Sequence, residues 1–432
     1  MLEILKTAIL DFQENQLNTG VLRRLEVETV PGKATVYMGV RRSGKSTFMY
    51  QIVQRLLDSG VSRQNILFLN FFDDRFHNLQ QEGLSRVTEA YYSLYPEKKN
   101  AEKVYCFFDE IQVIDDWESY VDRLIRTEDC EVYITGSSAK MLSKEMATQM
   151  RGRALSWEIF PFSFREYLDY QGHAVTKHLS TKKRLVVQKA FEHFWKTGGF
   201  PEVAGLDSHL RVKIHQEYLH AILFRDLIER HDVSHPKAVL DLAYRLVDST
   251  ASLYTVNRLT RYLKSLGHKV PKAVVSNYLQ WFEDAYFLFT VGVYDASLAR
   301  RNTNPKKIYC IDHAFVTSVT SGILVNSGHL LENMVFVALR RCFPEIFYYK
   351  TQSGREVDFC VQDKDRSLKL VQVCESLADE NTYKREVAAL EEAMIEQRQN
   401  FATIVTRNEQ QQIVVDTGEI KVVPIWEFLL GS

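Results

Sequence analysis

Short apolar runs alternate with longer segments of helical period in the first third of the chain. Four of the short runs are apolar almost throughout: ATVYM (34–38), ILFLNFF (66–72), VYCFF (104–108) and EVYIT (131–135). Strands in the middle of a parallel sheet have this pattern because helices cover both of their faces. Residues 46–57 instead place apolar side chains at helical spacing, with Gly60 as a stop signal. The pattern therefore predicts an α/β fold with a parallel sheet over residues 20–165.

The remainder of the chain changes character twice. Residues 175–247 contain long helical periods, interrupted by the turn GGFPE (198–202). From residue 252 the order is helix, glycine turn, helix and strand pair, which is the order of a winged helix, with RRNTNPKK (300–307) as a hairpin loop. Residues 328–432 return to a mixture of helices and strands. These changes predict four divisions, at residues 1–170, 171–247, 248–315 and 316–432.

Composition and charge are those of an ordinary globular protein with several domains. The 432 residues are 45% hydrophobic and 25% charged, and the formal net charge is −1, so any nucleic-acid surface has to be local. Six scattered cysteines show neither CxxC pairs nor metal-ligand spacing, which indicates the reducing cytoplasm. No apolar run reaches transmembrane length and the N-terminus does not read as a signal peptide, so no membrane role is expected.

A glycine-rich loop separates the first predicted strand from the first long helix. Residues 39–46 read GVRRSGKS and fit the pattern GxxxxGK[ST]. The glycines let successive backbone N–H groups point at phosphate oxygens, and the helix N-terminus adds partial positive charge. In this motif the lysine reaches the β- and γ-phosphates, and the serine hydroxyl binds Mg²⁺. The predicted nucleotide-binding residues are Gly39, Arg41, Arg42, Ser43, Gly44, Lys45, Ser46 and Thr47, with Lys45 also catalytic and Ser46 also a metal ligand.

Hydrolysis also needs a carboxylate site, and VYCFFDEIQ (104–112) supplies one where its strand ends. Asp109 is the predicted Mg²⁺ ligand, and Glu110 is predicted to orient or deprotonate the attacking water. The next strand ends in Thr135 and Ser137, which are predicted to sense the γ-phosphate. A Ser/Thr turn or a helix cap is the alternative for these two residues.

Arginines supply the remaining candidates for the site. Arg153 is the predicted arginine finger, and Arg151 is the second choice; both precede the fifth predicted strand, in MRGRALSWE. A finger presented to a neighbouring active site would require a homo-oligomer or another partner. The alternative is a solvated helix end. Arg41 and Arg42 are equally compatible with solvated loop side chains.

Together these residues resemble a family of bacterial and archaeal predicted ATPases of the AAA type. The resemblance extends over nearly the whole chain through GVRRSGKST, FFDEIQ, ITGSS, PFSFREYL, GGFPEV, ILFRDLIER, HLLENMVFVAL and REVDF. It implies a P-loop NTPase core with a parallel sheet, a helical segment, a winged helix and a C-terminal α/β domain similar to restriction endonucleases of the PD-(D/E)xK fold. It also implies ATP as the nucleotide, together with Mg²⁺.

An active nuclease is the less favoured interpretation of that C-terminal domain, although Glu375 or Lys369 could compensate for the exchanged residues. Glu332 matches the helical glutamate of the nuclease pattern and Asp358 its aspartate, but Gln372 and Cys374 replace the following glutamate and lysine. Because Mg²⁺ prefers anionic oxygen ligands, this exchange removes one ligand as well as the cation that positions water. A degenerate fold retained for packing or for contact with a partner is therefore favoured.

Basic residues cluster around the predicted winged helix: Arg258, Arg261, Lys264, His268, Lys269 and Lys272, with Arg300, Arg301, Lys306 and Lys307 on the wing. Such a cluster can neutralise DNA phosphates without reading sequence, although winged helices also bind proteins. The sequence thus predicts a Mg²⁺-dependent ATPase that couples its nucleotide state to the C-terminal parts, on DNA or with a protein partner. The alternative is a nucleotide-dependent switch with slow turnover that recruits DNA or a protein.

Overall fold

The computed structural model of the chain describes residues 1–136, 150, 152–176, 178–320, 326–363 and 367–431. These residues belong to two compact units, Met1–Ile159 and Phe160–Ser432. No helix within the described ranges is both long enough and apolar enough to cross a membrane.

Strands and helices alternate in the first unit, as the apolar runs predict. Its strands are β1 (Ala34–Met38), β2 (Ile66–Asn70), β3 (Val104–Asp109), β4 (Cys130–Gly136) and β5 (Ala154–Glu158). Its α-helices are α1 (Leu2–Glu14), α2 (Lys45–Asp58), α3 (Leu79–Glu82), α4 (Ser85–Leu94) and α5 (Trp117–Thr127). The predicted α/β fold with a parallel sheet is confirmed, since these strands pair in parallel in the order β2-β3-β4-β1-β5.

Aromatic side chains on one face of this sheet form the core beneath α2. The Phe107 ring stacks on Tyr133 at a centroid distance of 4.6 Å, and the Phe68 ring lies 6.0 Å away on the other side. Tyr37 meets Phe48 of α2 edge to face at 5.1 Å. These side chains are almost fully buried, and buried aromatic pairs stabilise a fold beyond the area that they remove from water. The core therefore fixes α2, and the loop that precedes it, against the sheet.

Helices precede and flank a second sheet in the other unit. Its described α-helices are α6 (Phe164–Tyr170), α7 (Thr181–Thr197), α8 (Ser208–Ala221), α9 (Pro236–Asp248), α10 (Val256–Ser265), α11 (Lys272–Asp284), α12 (Leu298–Thr303), α13 (His313–Val319), α14 (Ser327–Cys342), α15 (Glu380–Gln397) and α16 (Ile425–Gly431), and a π-helix (Ile222–Glu229) follows α8. Its strands are β6 (Leu253–Tyr254), β7 (Leu288–Val293), β8 (Lys306–Cys310), β9 (Ile346–Lys350), β10 (Glu356–Gln362), β11 (Leu368–Val373), β12 (Phe401–Thr406), β13 (Gln411–Val415) and β14 (Gly418–Pro424).

One mixed sheet joins parts of the chain that the sequence pattern separates. Its order is β13-β14-β12-β11-β10-β9-β7-β8-β6. The strand pair after α11 enters it through β7, which pairs in parallel with β9 at Gly292 opposite Phe347 and Val293 opposite Tyr348. The three later divisions predicted from the sequence, 171–247, 248–315 and 316–432, all lie within this unit. The order helix, glycine turn, helix and strand pair is present at residues 256–310.

The prediction of a hairpin loop at residues 300–307 is wrong. Residues 298–303 form the short helix α12, and Lys306 and Lys307 already belong to β8. Ser297 begins this helix, since its hydroxyl accepts a hydrogen bond from the backbone N–H of Arg300 at 3.4 Å. Serine at this position satisfies a donor that the helix itself cannot, so a local capping signal explains why a helix forms where the polar residues predict a loop.

The turn at Gly198 yields a stability prediction. Gly198 has φ +74, and a Cβ there would clash with the Asp312 carboxylate and lie 2.7 Å from the Ala314 Cβ. We expect Gly198→Ala to lower the free energy of unfolding by about 3 kcal/mol, from backbone strain and overpacking together. Urea denaturation followed by tryptophan fluorescence measures the change.

Gly172 is the matched control for that substitution. It has nearly the same φ, +73, but a Cβ added there would have no atom within 4 Å. Gly172→Ala should therefore cost only the backbone term, about 1 kcal/mol. Equal losses for the two variants would show that the packing against Asp312 and Ala314 contributes nothing.

Candidate functional site

Two glycines shape the loop between β1 and α2. A Cβ on Gly39, whose φ is +154, would overlap the carbonyl oxygen of Ile159. Gly44 has φ +95 and immediately precedes α2, and no side chain caps the first turn of that helix. The first N–H groups of a helix have no partner within the helix, so an uncapped start with aligned amides is a ready site for an anion.

The predicted catalytic lysine lies beside the predicted acidic pair. The Lys45 ammonium, which is buried, donates to the carbonyl oxygens of Gly39 at 3.1 Å and Val40 at 3.2 Å. Its Nζ is 3.7 Å from Glu110 Oε1. The carboxyl ends of parallel strands meet at one edge of a sheet, which is why the loop after β1 meets the residues at the end of β3.

Thr135, at the end of β4, holds the two acidic residues in place. Its hydroxyl donates to Asp109 Oδ1 at 2.5 Å and accepts from the backbone N–H of Glu110 at 2.9 Å. Gln112 donates from Nε2 to Glu110 Oε2 at 2.5 Å. Thr135, predicted as a sensor, therefore contacts both carboxylate residues, and Glu110 adopts the left-handed backbone conformation at φ +56. Ser137 and Arg151 lie outside the described residues.

Asp109 has the properties of a metal ligand. Burial raises the pKa of its carboxyl, as does the neighbouring Glu110, while the hydroxyls of Thr135 and Ser46 and the Lys45 ammonium oppose this. Its second oxygen, Oδ2, is buried and has no hydrogen-bond partner. Mg²⁺ binds hard oxygen ligands and usually takes only one or two of them from the protein. The Asp109 carboxylate, with one oxygen buried and unpartnered and with the Ser46 hydroxyl acting on it, fits such an ion.

The other predicted nucleotide-binding residues surround the same loop. The Arg41 guanidinium lies over the ring of Phe72, 5.6 Å from its centroid. Arg42 is exposed and has φ +64. Ser43 is fully buried, and its hydroxyl has no hydrogen-bond partner. Thr47 faces the irregular segment before β1, since its Cγ2 lies 3.2 Å from where a Cβ on Gly20 would be.

Sequence reasoning missed the segment that packs against α2. Gln51, on the buried face of α2, donates to the carbonyl oxygens of Thr19 at 2.6 Å and Val21 at 2.7 Å and accepts from the Arg23 N–H at 3.1 Å. The Arg23 side chain reaches the loop itself, donating from Nη1 to the Ser43 carbonyl oxygen at 2.8 Å. A buried polar side chain needs partners, so a glutamine among the apolar residues of this helix was the available signal.

Arg153 lies at the wrong end of the sheet to act on its own chain's loop. Its carbonyl oxygen accepts from the N–H of Ala34, the first residue of β1, at 2.8 Å, whereas the loop follows the last residue of that strand. Its guanidinium Nη1 lies 3.1 Å from Oδ1 of the buried Asp122. A catalytic role within the same chain therefore does not fit this geometry.

In the second unit, the predicted position of Lys307 is also wrong. The sequence pattern predicts it on a DNA-contacting wing, but it is buried, with its ammonium against Glu332, Glu356 and Asp358. Both faces of β8 are covered, since every residue from Lys307 to Cys310 is buried, so a lysine in this strand lies in the interior whichever face it points to. The cations of the helix–turn–helix region are on the surface: Arg258, Arg261, Lys264, Lys269 and Lys272. His268 is paired with Asp241 at 2.6 Å.

Three family models match successive parts of the chain. Residues 31–168 match the model of the AAA domain. Residues 188–323 and 327–428 match two domains of unknown function, DUF8612 and DUF4143. The first match includes the glycine loop and the acidic pair, and the other two matches assign no activity to their parts of the chain.

Full-length relatives and solved structures also resemble the chain. An uncharacterized protein of Methanocaldococcus jannaschii is 33% identical over 99% of this chain and 95% of its own length. An uncharacterized protein of Haemophilus influenzae is 29% identical over 90% of this chain and 93% of its own. The Walker-type ATPase of Pyrococcus abyssi aligns with a TM-score of 0.41 and 14% identity, covering 66% of this chain and 90% of that one. Because this TM-score is low, nothing about the present chain is inferred from the structural similarity.

The contacts of Thr135 yield a second stability prediction. Thr135→Val keeps the shape but removes the hydroxyl, which leaves the Asp109 oxygen and the Glu110 N–H buried without partners. We expect the free energy of unfolding to fall by about 2 kcal/mol, measured by urea denaturation. Thr135→Ser keeps the hydroxyl and loses one methyl, so about 1 kcal/mol is expected. A valine variant as stable as the serine variant would contradict the bridging role.

Proposed function

Because the chain belongs to the same family as the Methanocaldococcus jannaschii protein and its residues 31–168 form an AAA domain, we propose that it binds and hydrolyses ATP with Mg²⁺. The observation that supports this most is the meeting of Lys45 with Glu110, 3.7 Å apart, beside the buried carboxylate of Asp109. Cation, metal ligand and base are thus available at one edge of one sheet.

Each residue has a separate task in the proposed reaction. The amides of the loop and of the first turn of α2 bind the phosphates. Lys45 exchanges its contacts with the Gly39 and Val40 carbonyls for phosphate oxygens. Ser46 and Asp109 are the residues that would hold Mg²⁺, which, when bound, neutralises charge that develops on the transferred phosphoryl group. Glu110, held by Gln112, orients the attacking water or accepts its proton.

The proposal includes a homo-oligomer only because of the position of Arg153. Since that residue is remote from the loop of its own chain, it would serve as a finger only for a neighbouring protomer, after exchanging its pairing with Asp122. An arginine supplied in trans stabilises the charge of the transition state. A homo-oligomer would then hydrolyse ATP faster per protomer than the separated chains, with Arg153 responsible for the difference.

We also propose that residues 248–315 act as a winged helix and that its helix–turn–helix region binds DNA. From residue 249 to residue 282 the chain contains no Asp or Glu. The exposed side of α10 presents Arg258, Arg261 and Lys264, spaced so that they lie on one face of the helix. A cluster of cations of this kind neutralises phosphates and releases counterions, which gives binding without sequence preference.

The enzymatic part of the proposal predicts opposite behaviour of two variants. Lys45→Ala removes the cation that binds the phosphates, so titration calorimetry should detect no binding of Mg·ATP. Glu110→Gln keeps the site's shape and removes the base, so binding should persist while steady-state hydrolysis falls by about 100-fold or more. Both measurements are made with and without duplex DNA, because stimulation by DNA separates an ATPase from a switch with slow turnover.

Glu131→Gln is the matched control for the loss of a carboxylate. Glu131 lies near the start of β4, at the other end of the sheet, paired with Lys103 at 3.1 Å. Its hydrolysis rate should equal that of the wild type. Normal turnover in Glu110→Gln would remove Glu110 from its assigned role, and undisturbed binding in Lys45→Ala would refute the nucleotide site.

The DNA part predicts a change in the dependence of affinity on salt. Replacing both Arg258 and Arg261 by Gln should weaken binding to duplexes of any sequence and reduce the slope of log affinity against log salt by about 2, one for each lost phosphate contact. Fluorescence anisotropy at several salt concentrations measures both quantities. Lys182→Gln with Lys183→Gln, an exposed pair on α7, removes the same charge elsewhere. Equal effects of the two double variants would show that the attraction is not local to α10.

A further inference from the structure

Lys307 is enclosed by three carboxylates that come from two different elements. Its Nζ lies 2.9 Å from Glu332 Oε1 on α14, and 2.7 Å and 2.8 Å from Asp358 Oδ1 and Glu356 Oε1 on β10. The side chains of Lys307, Glu332 and Asp358 are at most 10% exposed, and that of Glu356 is 33% exposed. An ammonium group has three protons, and each has a carboxylate oxygen to receive it.

A second set of contacts holds the carboxylates toward this point. The Tyr309 hydroxyl donates to Glu332 Oε1 at 2.6 Å, and the Val373 N–H donates to Asp358 Oδ2 at 3.0 Å. Gln372 accepts from the Asp358 N–H at 3.0 Å and donates to Glu386 at 2.7 Å. Two of the three carboxylates, Glu332 and Asp358, are therefore held in place by contacts other than the cation, as ligands are in a metal site whose outer contacts orient them.

The charges of the cluster depend on the lysine. Burial by itself lowers the pKa of the Lys307 ammonium, but Asp358, Tyr309, Glu332 and Glu356 outweigh it and raise the pKa well above its usual range. Burial and the nearby Asp358 raise the pKa of Glu332. Like charges this close cannot all remain ionised without a cation among them. Lys307 thus performs the neutralisation that a divalent ion performs in other carboxylate sites.

We propose that Lys307 is a built-in cation that occupies the centre of a carboxylate site of the divalent-metal type, so that the chain itself blocks metal binding there. Glu332, Glu356 and Asp358 are oxygen donors of the kind that Mg²⁺ and Mn²⁺ prefer. With the ammonium at their centre, these three carboxylates are not arranged to hold a metal ion, and neither is any other group of three His, Cys, Asp or Glu side chains in the described part of the chain. An ammonium, unlike a bound metal ion, has no open coordination position at which water could be activated for hydrolysis. The cluster therefore has a structural role, in which it joins β8 to α14 and β10.

The inference is independent of the proposed ATPase and is tested with Mn²⁺ in the absence of nucleotide. Lys307→Met keeps the length of the side chain and removes the charge. The variant should bind one more Mn²⁺ ion per chain than the wild type does, as measured by electron paramagnetic resonance of the free ion. Its melting temperature should also rise when Mn²⁺ is added. Adding Asp358→Asn should abolish both gains. Lys306→Met, at the neighbouring half-buried residue, should behave as the wild type.

If Lys307→Met does not fold, the proposal can still be tested by comparing the wild type with Asp358→Asn. The wild type and Asp358→Asn should take up Mn²⁺ equally, because the wild-type cluster already contains its cation. Greater uptake by the wild type, or Mn²⁺-dependent DNA cleavage that Asp358→Asn loses, would overturn the proposal. So would a folded Lys307→Met protein that gains neither Mn²⁺ nor stability from it.

Discussion

The parallel pairing of β1, β4 and β3 is the constraint on which the candidate site depends. It brings the end of each strand to one edge, where the loop of β1, the threonine of β4 and the acidic pair of β3 meet. Because β4 lies between the other two strands, its Thr135 is in position to bond both acidic residues. The site is therefore assembled by the order of the strands, and each strand contributes a different chemical group.

Buried charge is handled differently in the two units. Asp109 is left with one oxygen without a partner, beside hydroxyls and an ammonium, which is an arrangement that gains from an added cation. Asp358 and Glu332 are provided with a cation by Lys307. Both arrangements place carboxylates where water cannot fully solvate them, and the difference lies in whether the chain or an added ion supplies the opposite charge. That difference separates a site that can accept an added cation from one in which the chain's own cation joins a helix to two strands.

Much of the first unit could be predicted because its signals are local. The strands at 34–38 and 104–109 are rich in apolar residues, and the glycines at 39 and 44 permit a backbone that other residues would strain. Contacts between distant segments were not predictable in the same way. Gln51 reads as a neutral position on a helix, yet it binds three backbone groups of residues 19–23. Lys307 stands in a basic stretch that reads as solvated, and only its neighbours in the folded unit, on α14 as well as on β10, make it buried.

The sequence by itself determined the α/β class of the first unit, the loop at 39–46 and the acidic pair at 109–110, since each depends on residues adjacent in the chain. Tertiary structure alone decided that Thr135 joins the acidic pair, that Arg153 is remote from its own loop, and that β7 pairs with β9 to make one sheet of the later strands. The physical reason is that hydrogen bonds and ion pairs between strands depend on which strands become neighbours. That choice is made by packing the whole unit, and no short stretch of residues encodes it.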